Sequence, residues 1–139
     1  MRVILGIPGN AGTLAGALEG LVRVNEHLIR VARLPRLYDS GARYLRERPG
    51  RENWRNAAEV VEAMNGDCED LAGYRAAELR VYDREPAQAI AYRSGPGKWH
   101  AVVRRANGRI EDPSRRLGMG AHSVPAQRRA LGRRRRVLW

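Results

Sequence analysis

The stretch that decides the fold runs from Lys98 to Pro113 and reads KWHAVVRRANGRIEDP. A strand centred on apolar residues is followed by Asn107-Gly108, a dipeptide typical of tight hairpins, and then by a short returning strand. Residues 88–93 form a third apolar segment just before it. Together they predict a small antiparallel sheet of strands 88–93, 98–105 and 109–112, which Pro113 ends because proline has no N–H to donate.

The loop of this hairpin determines which side chains share a face of the sheet. A two-residue loop puts Asp112 on the wrong face from His100. A three-residue loop over residues 106–108, with Gly108 in the left-handed region, places Asp112 opposite Val102 and diagonal to His100. The Asn-Gly-Arg sequence suits the longer loop, and we therefore expect His100 and Asp112 to lie within reach of each other.

Two helices are predicted upstream of this region. Apolar residues recur at helical spacing from Leu14 to Leu34, and Pro35 stops that helix. Asn53 is a candidate cap for a second helix running to about Met64. Asn65-Gly66 then suits a left-handed cap that ends it.

A third helix is predicted to begin immediately after Asn65-Gly66. Asp67 is a good N-cap, and Asp70, three residues on, completes an acidic version of the capping box. This helix fades near residues 81–83. Helices preceding a small antiparallel sheet predict an α+β fold with the helices packed on the sheet.

Composition is that of a globular chain of 139 residues, with 43% hydrophobic and 29% charged residues. One cysteine excludes an internal disulfide, and no apolar run is long enough to span a bilayer. The opening apolar stretch, five residues long, is too short for a secretory signal, so we expect none. The formal net charge of +11 requires that nucleic acid or another anionic partner be considered.

The chain divides into three parts. Residues 1–34 form an N-terminal strand or arm and a helix, 35–120 the core, and 121–139 a basic end. Ser123 is a candidate cap for a last helix ending near Gly132. Six arginines in this end are candidates for contact with nucleic acid or an acidic protein surface: Arg128, Arg129, Arg133, Arg134, Arg135 and Arg136.

Cys68 is the candidate nucleophile because it falls in the first turn of the third predicted helix. The partial positive charge of a helix N-terminus lowers the pKa of a thiol. Glu69 and Asp70 act in the opposite direction, since negative charge raises that pKa. A thiolate at this position therefore needs a histidine partner.

Four segments together resemble the transglutaminase-like branch of the papain-like cysteine hydrolases, and more closely its small bacteriophage-encoded members. They are GDCEDLA at 66–72, RAAELR at 75–80, HAVV at 100–103 and IEDPS at 110–114. The resemblance covers about residues 35–120. It implies a transglutaminase-like or papain-like α+β core and a catalytic triad.

Carried over position by position, the resemblance implies that Cys68 is the nucleophile and His100 the general base and later acid. Asp112 then orients and stabilises the imidazolium. The Cys68 backbone N–H supplies half of an oxyanion hole, and Trp54 and Asn53 are alternative sources for the other half. His122 is a further candidate base, although its spacing pairs it with nothing.

We therefore expect a phage-encoded cysteine hydrolase or acyltransferase that acts on an amide or peptide bond, with a protein or peptide as substrate. No metal or organic cofactor is implied, since one Cys and three His make no plausible zinc site. The alternative is a non-catalytic virion or assembly protein that docks on other virion proteins through its arginine-rich end. The expected location is the host cytoplasm or the virion.

Overall fold

The computed structural model describes residues 3–4, 11–47, 53–120 and 137–138. Over these residues the chain is α+β, as predicted, with four α-helices and a small antiparallel sheet of three strands. None of these helices is long and apolar enough to cross a membrane. The elements in chain order are β1 (Val3–Ile4), α1 (Ala11–Ala32), a 3₁₀ turn (Leu37–Asp39), β2 (Arg43–Tyr44), β3 (Asn53–Trp54), α2 (Ala57–Ala63), β4 (Asn65–Gly66), α3 (Cys68–Tyr82), β5 (Gln88–Gly95), β6 (Lys98–Arg104), β7 (Ile110–Glu111), α4 (Pro113–Arg116) and β8 (Val137–Leu138).

Helix α1 packs its apolar stripe against α3. Its fully or almost fully buried apolar residues are Leu18, Leu21, Val22 and Ile29. Gly73 of α3 permits the close approach, because a Cβ there would lie 2.7 Å from a methyl carbon of Leu21. The buried Asn25 side chain accepts the Ala57 N–H at 2.7 Å, which ties α1 to the start of α2.

Helix α3 begins as the sequence predicts. Asp67 is its N-cap, and Asp67 and Asp70 form a reciprocal capping box. Its buried residues lie on all sides and include Asp70 and Glu78 as well as Leu71, Ala76 and Leu79. A helix buried on all sides occupies the centre of its domain, here between α1 and the sheet.

The sheet has the predicted hairpin register. Strand β6 pairs with β7 through Val103 opposite Glu111 and Arg104 opposite Ile110. Gly108 has a φ of +82°, as the three-residue loop requires. The remaining pairings are antiparallel between β5 and β6 and parallel between β7 and the backbone of β8. The returning strand, β7, ends earlier than predicted. Asp112 caps α4 instead of continuing the strand.

The predicted caps of the second helix are wrong at both ends. Asn53 belongs to β3, which pairs with β1, and Asn56 is the N-cap of α2. Met64, with a φ of +61°, holds the left-handed position at the other end. Asn65–Gly66 instead forms β4, which pairs in parallel with β2. Both errors come from strand pairings between distant segments, which local sequence does not show.

Alternation along the strands gives the sheet two different faces. Ala89, Ala101 and Val103 join the main hydrophobic cluster with α1 and α3. Tyr92, Val102 and Ile110 form a separate cluster on the other face. His122, the predicted helix after Ser123 and the six arginines of the basic end lie outside the described residues.

Candidate active site

Cys68 is the first residue of α3, directly after the N-cap. Its backbone N–H donates to Oδ1 of Asp67 at 2.7 Å. Asp70 accepts the N–H groups of Asp67 at 3.0 Å and Arg55 at 2.7 Å, so one carboxylate joins the start of α3 to the segment after β3. The N–H that the resemblance assigns to an oxyanion hole is therefore bonded to Asp67 in this conformation.

The Cys68 thiol is 5% exposed and lies among polar groups. The backbone N–H of Ala101 and the side chain of Glu69 lie near enough to the sulfur to shift its pKa in opposite directions. One polar side-chain atom from each of Asp67, Cys68 and Glu69 lies within 4.8 Å of the others. A cation would need the thiolate and both carboxylates released from their present contacts, and we assign no metal to this group.

Burial and then the charges of Glu69 and Asp67 raise the pKa of the Cys68 thiol well above its ordinary value, against the effect of the Ala101 N–H. Burial, followed by the charge of Asp67, raises the pKa of Glu69 to about 8. Burial and the same negative charges also raise the pKa of Tyr44, which lies near this group on β2. Cys68 is therefore a protonated thiol at neutral pH in this conformation.

His100 and Asp112 form a direct buried pair. His100 Nε2 lies 2.8 Å from Oδ2 of Asp112, and the two residues are 6% and 0% exposed. The other Asp112 oxygen accepts the Arg115 N–H at 3.2 Å as the cap of α4. The Tyr92 ring meets the His100 ring edge-on, with centroids 5.6 Å apart. Because Asp112 takes Nε2, the atom of the imidazole that remains for a second partner is Nδ1.

Cys68, the third residue of the implied triad, approaches the His100–Asp112 pair at the edge of β6. Arg105 N–H donates to the Arg109 carbonyl across the hairpin, and alternate residues of a strand direct their N–H groups to the same side. The Ala101 N–H therefore points to the side of β7, beyond the last β7 pair at Val103. The Cys68 sulfur lies near that N–H, one residue from His100.

The structure thus joins His100 to Asp112 and brings Cys68 to the neighbouring backbone. Among the described residues, no hydrogen bond joins the thiol to the imidazole, whose Nε2 faces Asp112. The His100 side chain lies on the face of Val102, whereas Cys68 belongs to the cluster on the α3 side.

The two candidates for the second oxyanion donor differ in their surroundings. The Trp54 side chain is 3% exposed, and its indole N–H has no hydrogen-bond partner among the described residues. Trp54 shares the main hydrophobic cluster with Cys68. The Asn53 backbone N–H is already bonded to the Glu47 carboxylate at 2.9 Å. Trp54 therefore has the available donor.

Sequence reasoning missed a buried ionic cluster beside the site. Glu111, next to Asp112 in the chain, is 1% exposed and accepts from Tyr38 Oη at 2.6 Å, Arg75 Nε at 2.6 Å and Arg105 Nη1 at 2.8 Å. Two features of the sequence indicate this cluster. Arg75 is seven residues after Cys68 and so on the same helix face, and Glu111 alternates with Asp112 and so faces α3.

No family model, curated protein or solved structure matches this chain. The transglutaminase-like resemblance therefore rests on the residues themselves.

Proposed function

We propose that the protein carries out thiol-dependent acyl chemistry on an amide or peptide bond, with Cys68 as nucleophile, His100 as base and Asp112 as its partner. The observation that supports this most is the buried His100–Asp112 pair at 2.8 Å, one residue from Ala101, whose N–H lies near the Cys68 sulfur. A buried carboxylate paired with an imidazole orients the ring and stabilises the imidazolium that forms when the ring takes a proton in the reaction.

In the proposed reaction His100 takes the thiol proton and the Cys68 thiolate attacks the carbonyl carbon. The tetrahedral intermediate collapses as its C–N bond breaks, and the imidazolium gives its proton to the departing amine. The resulting thioester is resolved by water, which gives hydrolysis, or by a second amine, which gives transfer. Either resolving nucleophile loses a proton to His100, and the thiol is restored.

Two local changes precede this attack. The thiol hydrogen turns towards Nδ1 of His100, and the Cys68 N–H is released from Asp67 so that it faces the developing oxyanion. The unpartnered indole N–H of Trp54 supplies the second donor. For the first change the thiol and the imidazole have to meet at the edge of β6, because their side chains start on opposite faces of the sheet.

The test uses alkylation of the single cysteine by iodoacetamide across pH, followed by mass spectrometry, with Cys68→Ser as the blank. A general base contributes about 10²-fold or more to its step, so His100→Ala should slow alkylation at neutral pH by at least about tenfold. Asp112→Asn should slow it less. An activated ester should acylate Cys68 in the wild type only. Alkylation that is indifferent to His100→Ala contradicts the proposal.

The second candidate is a non-catalytic virion or assembly protein with the same fold, encoded by a phage and found in the host cytoplasm or the virion. The 5% exposure of Cys68 and its raised thiol pKa favour it, since an inert buried cysteine has these properties. It predicts that Cys68 alkylates only on unfolding, and that the arginine-rich end docks the protein on a partner.

A further inference from the structure

Arg75 and Glu111 connect the helix that carries Cys68 to the strand that leads into Asp112. Arg75 Nε lies 2.6 Å from Oε2 of Glu111, and its Nη2 lies 3.3 Å from Oε1. Both side chains are largely buried. This fork of two parallel N–H···O bonds fixes both distance and orientation, which a single contact does not.

Arg75 on α3 and Glu111 on β7 each lie close in the chain to a residue of the candidate site. Cys68 and Arg75 are seven residues apart and share one face of α3. Glu111 is the last residue of β7, and Asp112 follows it directly. Sliding α3 along the sheet would move Cys68 relative to His100 and break the Arg75–Glu111 fork at the same time.

Two further residues, Tyr38 and Arg105, contact the Arg75–Glu111 pair and hold it in place. Tyr38 Oη donates to Glu111, and the Tyr38 ring lies beneath the guanidinium carbon of Arg75 at 4.7 Å. On the other oxygen, Arg105 donates to Glu111 at 2.8 Å and forms two bonds to Glu85. Burial acts to raise the pKa of Glu111, but the bonds from Arg75 and Tyr38 hold it below its ordinary value.

We propose that Arg75 and Glu111 are positioning residues that hold the Cys68 helix in register with the His100–Asp112 pair. The inference rests on the proposed function, because it assigns to the ion pair the geometry on which that reaction depends. A displacement of about 1 Å costs a reaction up to about 10²-fold, which makes a rigid link between two elements of a site valuable.

The test is a double-mutant cycle between Arg75→Met and His100→Ala, read as the rate of Cys68 alkylation at neutral pH. Arg75→Met alone should slow the reaction about tenfold. In the His100→Ala background it should change the rate by less than about twofold, since the geometry it protects is no longer used. Arg75→Lys, which keeps one donor and the charge, should recover part of the rate.

Arg80→Met is the matched control. Arg80 is also a partly buried arginine of α3, but it pairs with Glu19 and Glu26 of α1 instead of with β7. It should lower the midpoint of thermal unfolding without changing the dependence of alkylation on His100. If Arg75→Met does not fold, Tyr38→Phe removes one donor to Glu111 and should give a smaller slowing in the same direction.

The outcomes separate this inference from the proposed function. If His100→Ala slows alkylation but Arg75→Met and Tyr38→Phe do not, the positioning role is wrong and the reaction stands. If Arg75→Met changes alkylation by the same factor with and without His100, the ion pair acts independently of His100 and the positioning role is again wrong. If His100→Ala has no effect, the reaction itself is contradicted.

Discussion

The thiol of Cys68 is controlled by its chain neighbours more than by the helix it begins. The Ala101 N–H and the helix N-terminus favour the thiolate, whereas burial and the carboxylates of Glu69 and Asp67 favour the thiol. Among the neighbouring side chains, Glu69 does most to raise the pKa of the Cys68 thiol, through its negative charge. Removing its charge should therefore make Cys68 more acidic.

Glu69→Gln is expected to shift the alkylation profile of Cys68 to lower pH. A fall of one unit in thiol pKa gives about tenfold more thiolate, which is less nucleophilic, so the net gain above about pH 8, where Glu69 is ionised, is roughly threefold. The wild-type profile should also rise over a broader range, because Glu69, with a pKa of about 8, ionises before the thiol and raises the thiol pKa as it does so. Thiolate absorbance, corrected with Cys68→Ser, measures the pKa directly.

Glu62→Gln is the control for this prediction, because Glu62 is an exposed carboxylate of α2. Its profile should match that of the wild type. A Glu69→Gln profile that does not move would mean that burial alone sets the pKa of Cys68.

The residues of the site were largely predictable, but their hydrogen bonds were not. Gly66-Asp67-Cys68 and the hairpin register placed Cys68, His100 and Asp112 from local rules, and the His100–Asp112 bond was expected. The effect of Glu69 on Cys68 was also predicted. Asp70, the other acid expected to raise the thiol pKa, instead accepts two backbone N–H groups, and Asp67 is the second charge. Which neighbouring acid turns towards a sulfur depends on packing, and sequence does not give it.

At the scale of elements, Asp70 joins α3 to the segment that leads into α2. It is fully buried, burial raises its pKa to about 7, and it accepts one N–H from each side of the junction. Asp70→Ala removes both bonds and should destabilise the fold by about 2–3 kcal/mol. Asp70→Asn keeps one acceptor oxygen and should cost roughly half as much.

Denaturant unfolding followed by circular dichroism measures both changes. Asp39→Ala, at an exposed aspartate of the 3₁₀ turn, should leave the free energy of unfolding within about 0.5 kcal/mol of the wild type. Equal stabilities for Asp70→Ala and Asp39→Ala would show that Asp70 does not hold the junction.

The elements differ in how well sequence predicted them. Helices α1 and α3 and the β6–β7 hairpin follow from periodicity, capping and turn residues within one segment. The short pairs β1–β3 and β2–β4 follow from contacts between segments far apart in the chain, and they moved the cap of α2 from Asn53 to Asn56. Helix α4 went unrecognised because Asp112-Pro113 both ends a strand and begins a helix equally well.

At the scale of the whole molecule, charge is unevenly distributed along the chain. Residues 11–47 and 53–120 carry seventeen Arg and Lys against fourteen Asp and Glu, and many of these form ion pairs. The rest of the chain holds nine arginines and a single acid, and six of those arginines lie between residues 128 and 136. The net charge of +11 therefore reflects the basic end far more than the α+β body.

This distribution predicts where any contact with nucleic acid arises. If the basic end binds phosphates, the affinity of the full chain for double-stranded DNA should fall steeply with salt, and each lost phosphate contact should reduce the logarithmic slope by about 0.9. Changing the six arginines of residues 128–136 to Gln should remove most of the binding, as fluorescence anisotropy over a salt series would show.

The matched control changes six exposed arginines of the body to Gln and should retain most of the slope: Arg23, Arg30, Arg33, Arg43, Arg46 and Arg93. Equal losses in the two variants would show that net charge, and not the basic end, attracts the DNA, whereas no binding even at low salt would favour docking on an acidic protein surface.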